Sequence, residues 1–129
     1  MKPSLRRTLL IALALLMLAF VVWIILSADR PGLPLFITAL YNYPNGDKIG
    51  HFLLMGTLAF VLTLALPKRG QLPGLGLLAI ALAIEEFSQR FLGRHSDLLD
   101  LTCSYAGLIV FGGLALWLTR RMSQKSNNK

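Results

Sequence analysis

Hydrophobic residues in this chain form long runs, and charge is confined to the breaks between them. Leu9–Leu26 is an 18-residue run without a charge, and Ile49–Leu66 is a second, interrupted only by His51. Leu101–Leu118 is a third, again uncharged. Leu72–Ile84 adds 13 residues, and a helix continuing through Glu85 to Phe91 completes a fourth span. Crossing a hydrocarbon core ~30 Å thick takes ~20 helical residues. The pattern therefore predicts an all-α, polytopic membrane protein, a four-transmembrane-helix bundle. Its helices fall at about 7–27, 48–66, 72–92 and 97–119. They make one membrane domain over residues 1–122, followed by a flexible basic tail, 123–129.

Composition agrees with the pattern. Of 129 residues, 55% are hydrophobic, and the mean hydropathy of +0.63 exceeds what a soluble domain of this size can cover. Lys2, Arg6 and Arg7 before the first run resemble the start of a signal peptide. The run is longer than the ~7–15 residues of such peptides and no small-x-small cleavage site follows it, so a retained helix is expected.

Charge adds an orientation. With both termini cytoplasmic, the inner segments carry Lys2, Arg6, Arg7, Lys68, Arg69, Arg120, Arg121, Lys125 and Lys129, and the outer ones Arg30, Lys48, Arg90 and Arg94. Nine basic residues against four select this topology by the positive-inside rule. The net charge of +7 is thus a topology signal, suited to an anionic inner leaflet. No basic soluble module exists to bind nucleic acid. Cys103 is the sole cysteine, so neither an intrachain disulfide nor a cysteine metal cluster can form. It is expected to pack inside the fourth helix.

The segment between the first two spans contains Pro31, Gly32, Pro34, Pro44 and Gly46, which turn the chain repeatedly. Its short apolar patch, Leu35, Phe36, Ile37, Leu40 and Tyr41, cannot span a membrane. It is expected to lie at the interface, folded over the helix ends, with a lid over the polar residues as the sharper alternative.

Those polar residues are concentrated in Glu85–Asp100, which holds four of the six carboxylates together with Gln89, Arg90, Arg94 and His95. A third helix entering the core near Leu72 places Glu85 and Glu86 ~20 Å along its axis, about two turns below the outer surface. Lipid cannot surround them there, so they must face other helices or a wet cavity. Glu86 shares a helix face with Gln89 and Arg90, and Glu85 is i,i+4 from Gln89. A local Glu86–Arg90 ion pair is the plainer alternative. Gly93 to Ser96 reads as a tight outer turn, with Ser96 or Asp97 capping the fourth helix and Asp100 one turn deeper. Asp47 and His51 are i,i+4 at the start of the second helix, with Lys48 between them. Lys48 can reach the headgroups or pair with Asp47 or another outer acid. A hydrogen bond inside the membrane is the expected role of His51. Asp47, His51, Glu86 and Asp100 are oxygen and nitrogen donors that could hold a divalent metal, but their spacing matches no specific metal signature. No cofactor is expected.

On these residues the chain resembles the VanZ-like family of small bacterial membrane proteins, named for a factor linked to teicoplanin resistance. The resemblance lies in Asp47-Lys48-Ile49-Gly50-His51-Phe52, in Glu86-Phe87-Ser88-Gln89, and in Arg94, Asp97, Asp100 and Gly107, in that order. It covers roughly residues 47–113. Met55 stands where the family often has tyrosine and Ser104 where it often has asparagine. The turn from Gln89 to Arg94 is one residue short and lacks a common proline. Ser104 can still hydrogen-bond across helices, whereas Met55 cannot replace a phenol. The resemblance implies a place in the cell envelope and a connection with lipoglycopeptides, whose targets are lipid-linked cell-wall precursors outside the membrane.

Two functional classes follow. In the first, an outward-facing site between the second, third and fourth helices binds an anionic lipid headgroup, a lipid-linked cell-wall precursor or a lipoglycopeptide. Arg94 and Lys48, with Arg90, meet the anion, Glu86, Gln89 and Asp100 orient them, and Asp47 and Asp97 are further binding-site candidates. Arginine suits this because its fork matches phosphate and carboxylate bidentately. In the second, an intramembrane enzyme acts on such a lipid. Glu86 and Asp100 then divide acid and base roles, His51 shuttles protons and Arg94 stabilises anionic charge. No serine or cysteine shows a nucleophile–base motif. A purely structural polar network joining the helices is a third reading.

Overall fold

In the computed structural model the described residues are 3–27, 35–91 and 97–127. They form five helices in succession: α1 (Pro3–Ser27), α2 (Leu35–Asn42), α3 (Gly46–Ala65), α4 (Lys68–Phe91) and α5 (Leu98–Asn127). α1, α3, α4 and α5 are long and apolar enough to cross a membrane, so the chain is an all-α, multi-pass membrane protein, as the hydrophobic runs predict. Large apolar side chains such as Leu16, Leu77, Ile109 and Phe91 lie exposed on the outer faces, which suits a surface solvated by acyl chains.

The differences from the predicted elements are local. The patch between the first two spans forms α2, an eight-residue helix. It packs on α3, and Ile37 is buried. Eight residues with prolines on both sides are too few for a helical period to show in the sequence. The fourth helix runs on to Asn127, so the flexible tail expected from residue 123 is helical through that point. Arg120, Arg121, Met122, Gln124 and Lys125 are good helix formers, and their cations suit the negative end of the helix dipole. Arg121 also lies 4.5 Å over the Trp117 ring. α4 begins at Lys68, four residues before the apolar run, because Pro67 ends one helix and opens the next. Leu66, ahead of it, is extended (φ −78°, ψ 148°) as a pre-proline residue must be.

α3 is the hub and touches every other helix. Its closest partner is α5, and the two run in the same direction. With no water to expel between membrane helices, association depends on close packing, and small residues allow it. Gly56 and Gly107 supply the crossing. A Cβ at 107 would overlap the Phe52 carbonyl oxygen, and one at 56 would come within 2.7 Å of the Phe111 ring. Phe52 and Phe111 close the crossing edge to face, their centroids 5.7 Å apart. Ala59, with no exposed surface, continues the seam. α4 runs antiparallel to both: Leu75 packs on Gly112, and the Tyr105 hydroxyl donates to the Ala79 carbonyl at 3.0 Å. This arrangement brings the start of α3, the end of α4 and the start of α5 to one end of the bundle.

Candidate functional site between the ends of three helices

The site begins with a turn. Asn45 takes a left-handed conformation (φ 58°), which asparagine tolerates better than most residues, and the Gly46 amide donates to the Tyr43 carbonyl at 2.8 Å. Immediately afterwards α3 presents Asp47, Lys48 and, one turn on, His51. At the start of α5, Asp97 is the cap. Its Oδ1 accepts the Leu99 amide at 2.9 Å, and its carbonyl accepts the Asp100 and Leu101 amides. Two crossing helices thereby aim their first turns at each other.

Lys48 joins them. Its Nζ donates to Asp47 Oδ2 at 2.9 Å, Asp97 Oδ2 at 3.1 Å and Asp100 Oδ1 at 3.4 Å. An ammonium has three N–H groups, so these partners fill it. Lys48 is therefore a strut between α3 and α5, with no donor left over for an external anion. The pairing with Asp47 and an outer acid that its position suggested is realised. The Leu99 amide, followed by the Lys48 ammonium, holds the Asp97 carboxyl below the usual carboxylate range.

His51 lies one turn deeper. Its Nδ1 is 3.2 Å from Ser104 Oγ, and its Nε2 is 3.8 Å from Asp100 Oδ2. Both ring nitrogens thus face α5. The interhelical hydrogen bond expected for His51, and the one open to Ser104 in place of an asparagine, are the same bond. Ser104 is only 2% exposed, which makes it a support for the imidazole and closes it off as a nucleophile. Met55, at the tyrosine position of the resemblance, is buried in the apolar core with Leu58, Leu82 and Leu108.

α4 contributes Glu86, 5% exposed. The Asp97 backbone amide donates towards its carboxyl, and Asp100 and His51 lie close enough to act on it electrostatically. Its Oε1 has no hydrogen-bond partner among the described residues. Gln89 does not join it: its Nε2 donates to Glu85 Oε1 at 2.6 Å, using the i,i+4 option on the neighbouring face. Arg94 and His95 lie outside the described residues, as does the Arg90 side chain. Among the described residues no group of three or more His, Cys, Asp or Glu is arranged to hold a metal ion. Beside Glu86, a groove of about 820 Å³ opens between α4 and α5, lined by apolar side chains.

The structure thus assembles Asp47, Lys48, His51, Glu86, Asp97 and Asp100 from three helices and leaves Gln89 aside. A second polar cluster, at the opposite end of the same helices, escaped the sequence reading. Gln71, 5% exposed, donates to the Thr63 carbonyl at 3.0 Å and accepts from Thr119 at 3.3 Å. Nearby, the Lys68 ammonium meets the Ser123 hydroxyl. Three polar residues each near the inner end of a predicted span were the available signal. Compared with known proteins, the chain matches no family model, no curated protein and no solved structure.

Proposed function

We propose that this is a VanZ-like protein of the bacterial cytoplasmic membrane, with both termini inside, that binds the anionic headgroup of a lipid, a lipid-linked cell-wall precursor or an envelope-active antibiotic at an outward-facing site. The observation that carries the reading is the Lys48 strut. It gathers carboxylates from the starts of two helices beside buried Glu86, next to a groove that opens sideways towards lipid. Polar groups at one end of an apolar groove suit an amphiphile, with its head in the cluster and its tail in the groove. Charge supports the orientation: Lys68, Arg69, Arg120 and Arg121 sit at the opposite end. Since Lys48 is filled by its own carboxylates, the anion falls to Arg94, with Arg90 as a second cation. The test is mass spectrometry of lipids and cell-wall precursors in cells lacking, carrying or overproducing the protein, and of lipids retained on the purified protein. An enriched phosphate-bearing lipid or precursor that Arg94→Lys loses is the expected result. A lipid profile identical in all three strains, with nothing retained, would sink the proposal.

Catalysis on the same lipid is the alternative, and one observation favours it. The His51 ring hydrogen-bonds with Ser104 and lies 3.8 Å from Asp100 with Glu86 nearby, a cluster of titratable groups suited to acid and base roles. Under this reading Glu86→Gln abolishes turnover of the lipid while the protein stays folded. Full turnover in that variant would end the alternative.

A further inference from the structure

We propose that the groove between α4 and α5 admits a phospholipid from the side and that Glu86 binds the ammonium group of its headgroup, so that the ligand is an aminophospholipid of the phosphoethanolamine type. This rests on the headgroup reading above and names its substrate class.

The groove exists because α5 packs its glycines on α3 and presents Leu101 and Tyr105 to α4, while α4 answers with Ala79 and Ala83. Two alanines leave the space between the helices unfilled. The Tyr105–Ala79 hydrogen bond ties the helices together part-way along, and Ile80, Ile84 and Phe87 flare outward, more than half exposed. At about 820 Å³ the space falls within the ~300–1,000 Å³ of ligand sites. In a bilayer its open side faces acyl chains, which match its lining.

Among the described residues lining it, Glu86 is the one carboxylate. It lies five residues before Phe91, the end of α4, or about 7.5 Å along the axis. That is the depth at which the glycerol and headgroup of a phospholipid meet its chains. A buried acceptor left without a partner costs about 1–3 kcal/mol, more when charged, and in a folded protein such an orphan calls for an explanation. Among the described residues the nearby ammonium cannot supply one, because Lys48 is filled by Asp47, Asp97 and Asp100. The missing donor comes from the ligand. The Glu85 and Asp100 carboxylates act on the position with further negative charge, so a cationic donor is preferred to a hydroxyl. A primary ammonium offers both charge and N–H groups. A quaternary choline offers charge alone and cannot hydrogen-bond to Oε1.

That difference is the test. The full-length protein in detergent is titrated with phosphatidylethanolamine, phosphatidylcholine and phosphatidylglycerol of identical chains, and bound lipid is read by native mass spectrometry. Wild type is expected to retain phosphatidylethanolamine at least tenfold better than phosphatidylcholine. Glu86→Gln, which keeps shape and removes charge, should abolish the preference. Ala83→Phe, which fills the groove, should reduce retention of every lipid. Equal retention of the ethanolamine and choline lipids by wild type overturns the inference whatever the variants do. Preferential retention of phosphatidylglycerol, indifferent to Glu86→Gln but lost in Arg94→Lys, also overturns it while leaving the headgroup reading intact. Retention of none of the three, together with unchanged cellular lipids, removes both.

Discussion

The same three helices carry a polar cluster at each end, and the two clusters are built differently. At the end formed by Thr63, Gln71 and Thr119, Gln71 is buried and its amide is used on both sides, by the Thr63 carbonyl and the Thr119 hydroxyl. At the Lys48 end the ammonium is equally well used, but Glu86, just as buried, keeps an oxygen without a partner among the described residues. Polar side chains inside a membrane protein are often just interhelical glue, and satisfied ones need no further explanation. The Gln71 cluster fits that description in full. The Lys48 cluster fits it at Lys48, His51 and Ser104 and departs from it at Glu86. The departure, more than the presence of charge, distinguishes a site from a brace.

The comparison can be broken most forcefully at the seam that sets both ends in register. Gly107→Leu drives a side chain into the Phe52 backbone and should lower stability in detergent by about 3 kcal/mol or more, with loss of folded protein by size-exclusion chromatography. Gly113→Ala, on the same helix with nothing within 4 Å of the new methyl, should leave stability unchanged. If the two variants behave alike, the α3–α5 crossing has been misread. Next comes the contrast between the ends. Gln71→Leu removes two hydrogen bonds and leaves the Thr63 carbonyl short of a partner, a loss of about 1–3 kcal/mol in chemical denaturation. Glu86→Leu removes one unpartnered oxygen together with the acceptor of the Asp97 amide and should change stability by less than about 1 kcal/mol, while the proposed lipid binding is lost. A Glu86→Leu protein as unstable as Gln71→Leu would make the Lys48 cluster another brace.

Ser104→Ala tests a smaller element. It deletes one interhelical hydrogen bond and should cost about 0.5–1.5 kcal/mol of thermal stability with the fold intact. The smallest effect is pH-dependent. The folded Asp97 carboxyl titrates below its ordinary value of 3.8, so the unfolded state takes up its proton first as pH falls. Its contribution is present in full above that value and disappears as pH drops through the lower folded value. Melting curves of wild type and Asp97→Asn should therefore differ at neutral pH and converge as the pH falls through the lowered folded value. A difference that persists in acid would assign the effect to something other than Asp97 ionisation.

Legibility from sequence varied with the range of the interaction. Asp97 as a cap and Lys48 as a partner of Asp47 depend on neighbours one to three residues away, and spacing offered both, with Ser96 as the other cap and the headgroups as the other place for the lysine. The tie from Lys48 to Asp97 and Asp100 spans about fifty residues, yet it was within reach because few acids were available to pair with. Gln89 shows the limit of spacing: both Glu85 and Glu86 were open to it, and rotamer choice sent it to Glu85. Gln71 was overlooked because a single amide near the end of an apolar run does not differ from a loop residue until Thr63 and Thr119 are seen beside it.

The sequence by itself determined four membrane-length helices, the confinement of charge to their ends and the choice of residues able to do chemistry. Each of these follows from local composition, because a bilayer demands long apolar runs and penalises isolated charge. Only the tertiary structure decided that α3 and α5 cross at Gly56 and Gly107, that Lys48 is filled by carboxylates from both helices, and that Glu86 faces a groove with one oxygen unpartnered among the described residues. These depend on how closely two backbones approach and which donors are already taken, and neither is encoded in the spacing of any one segment.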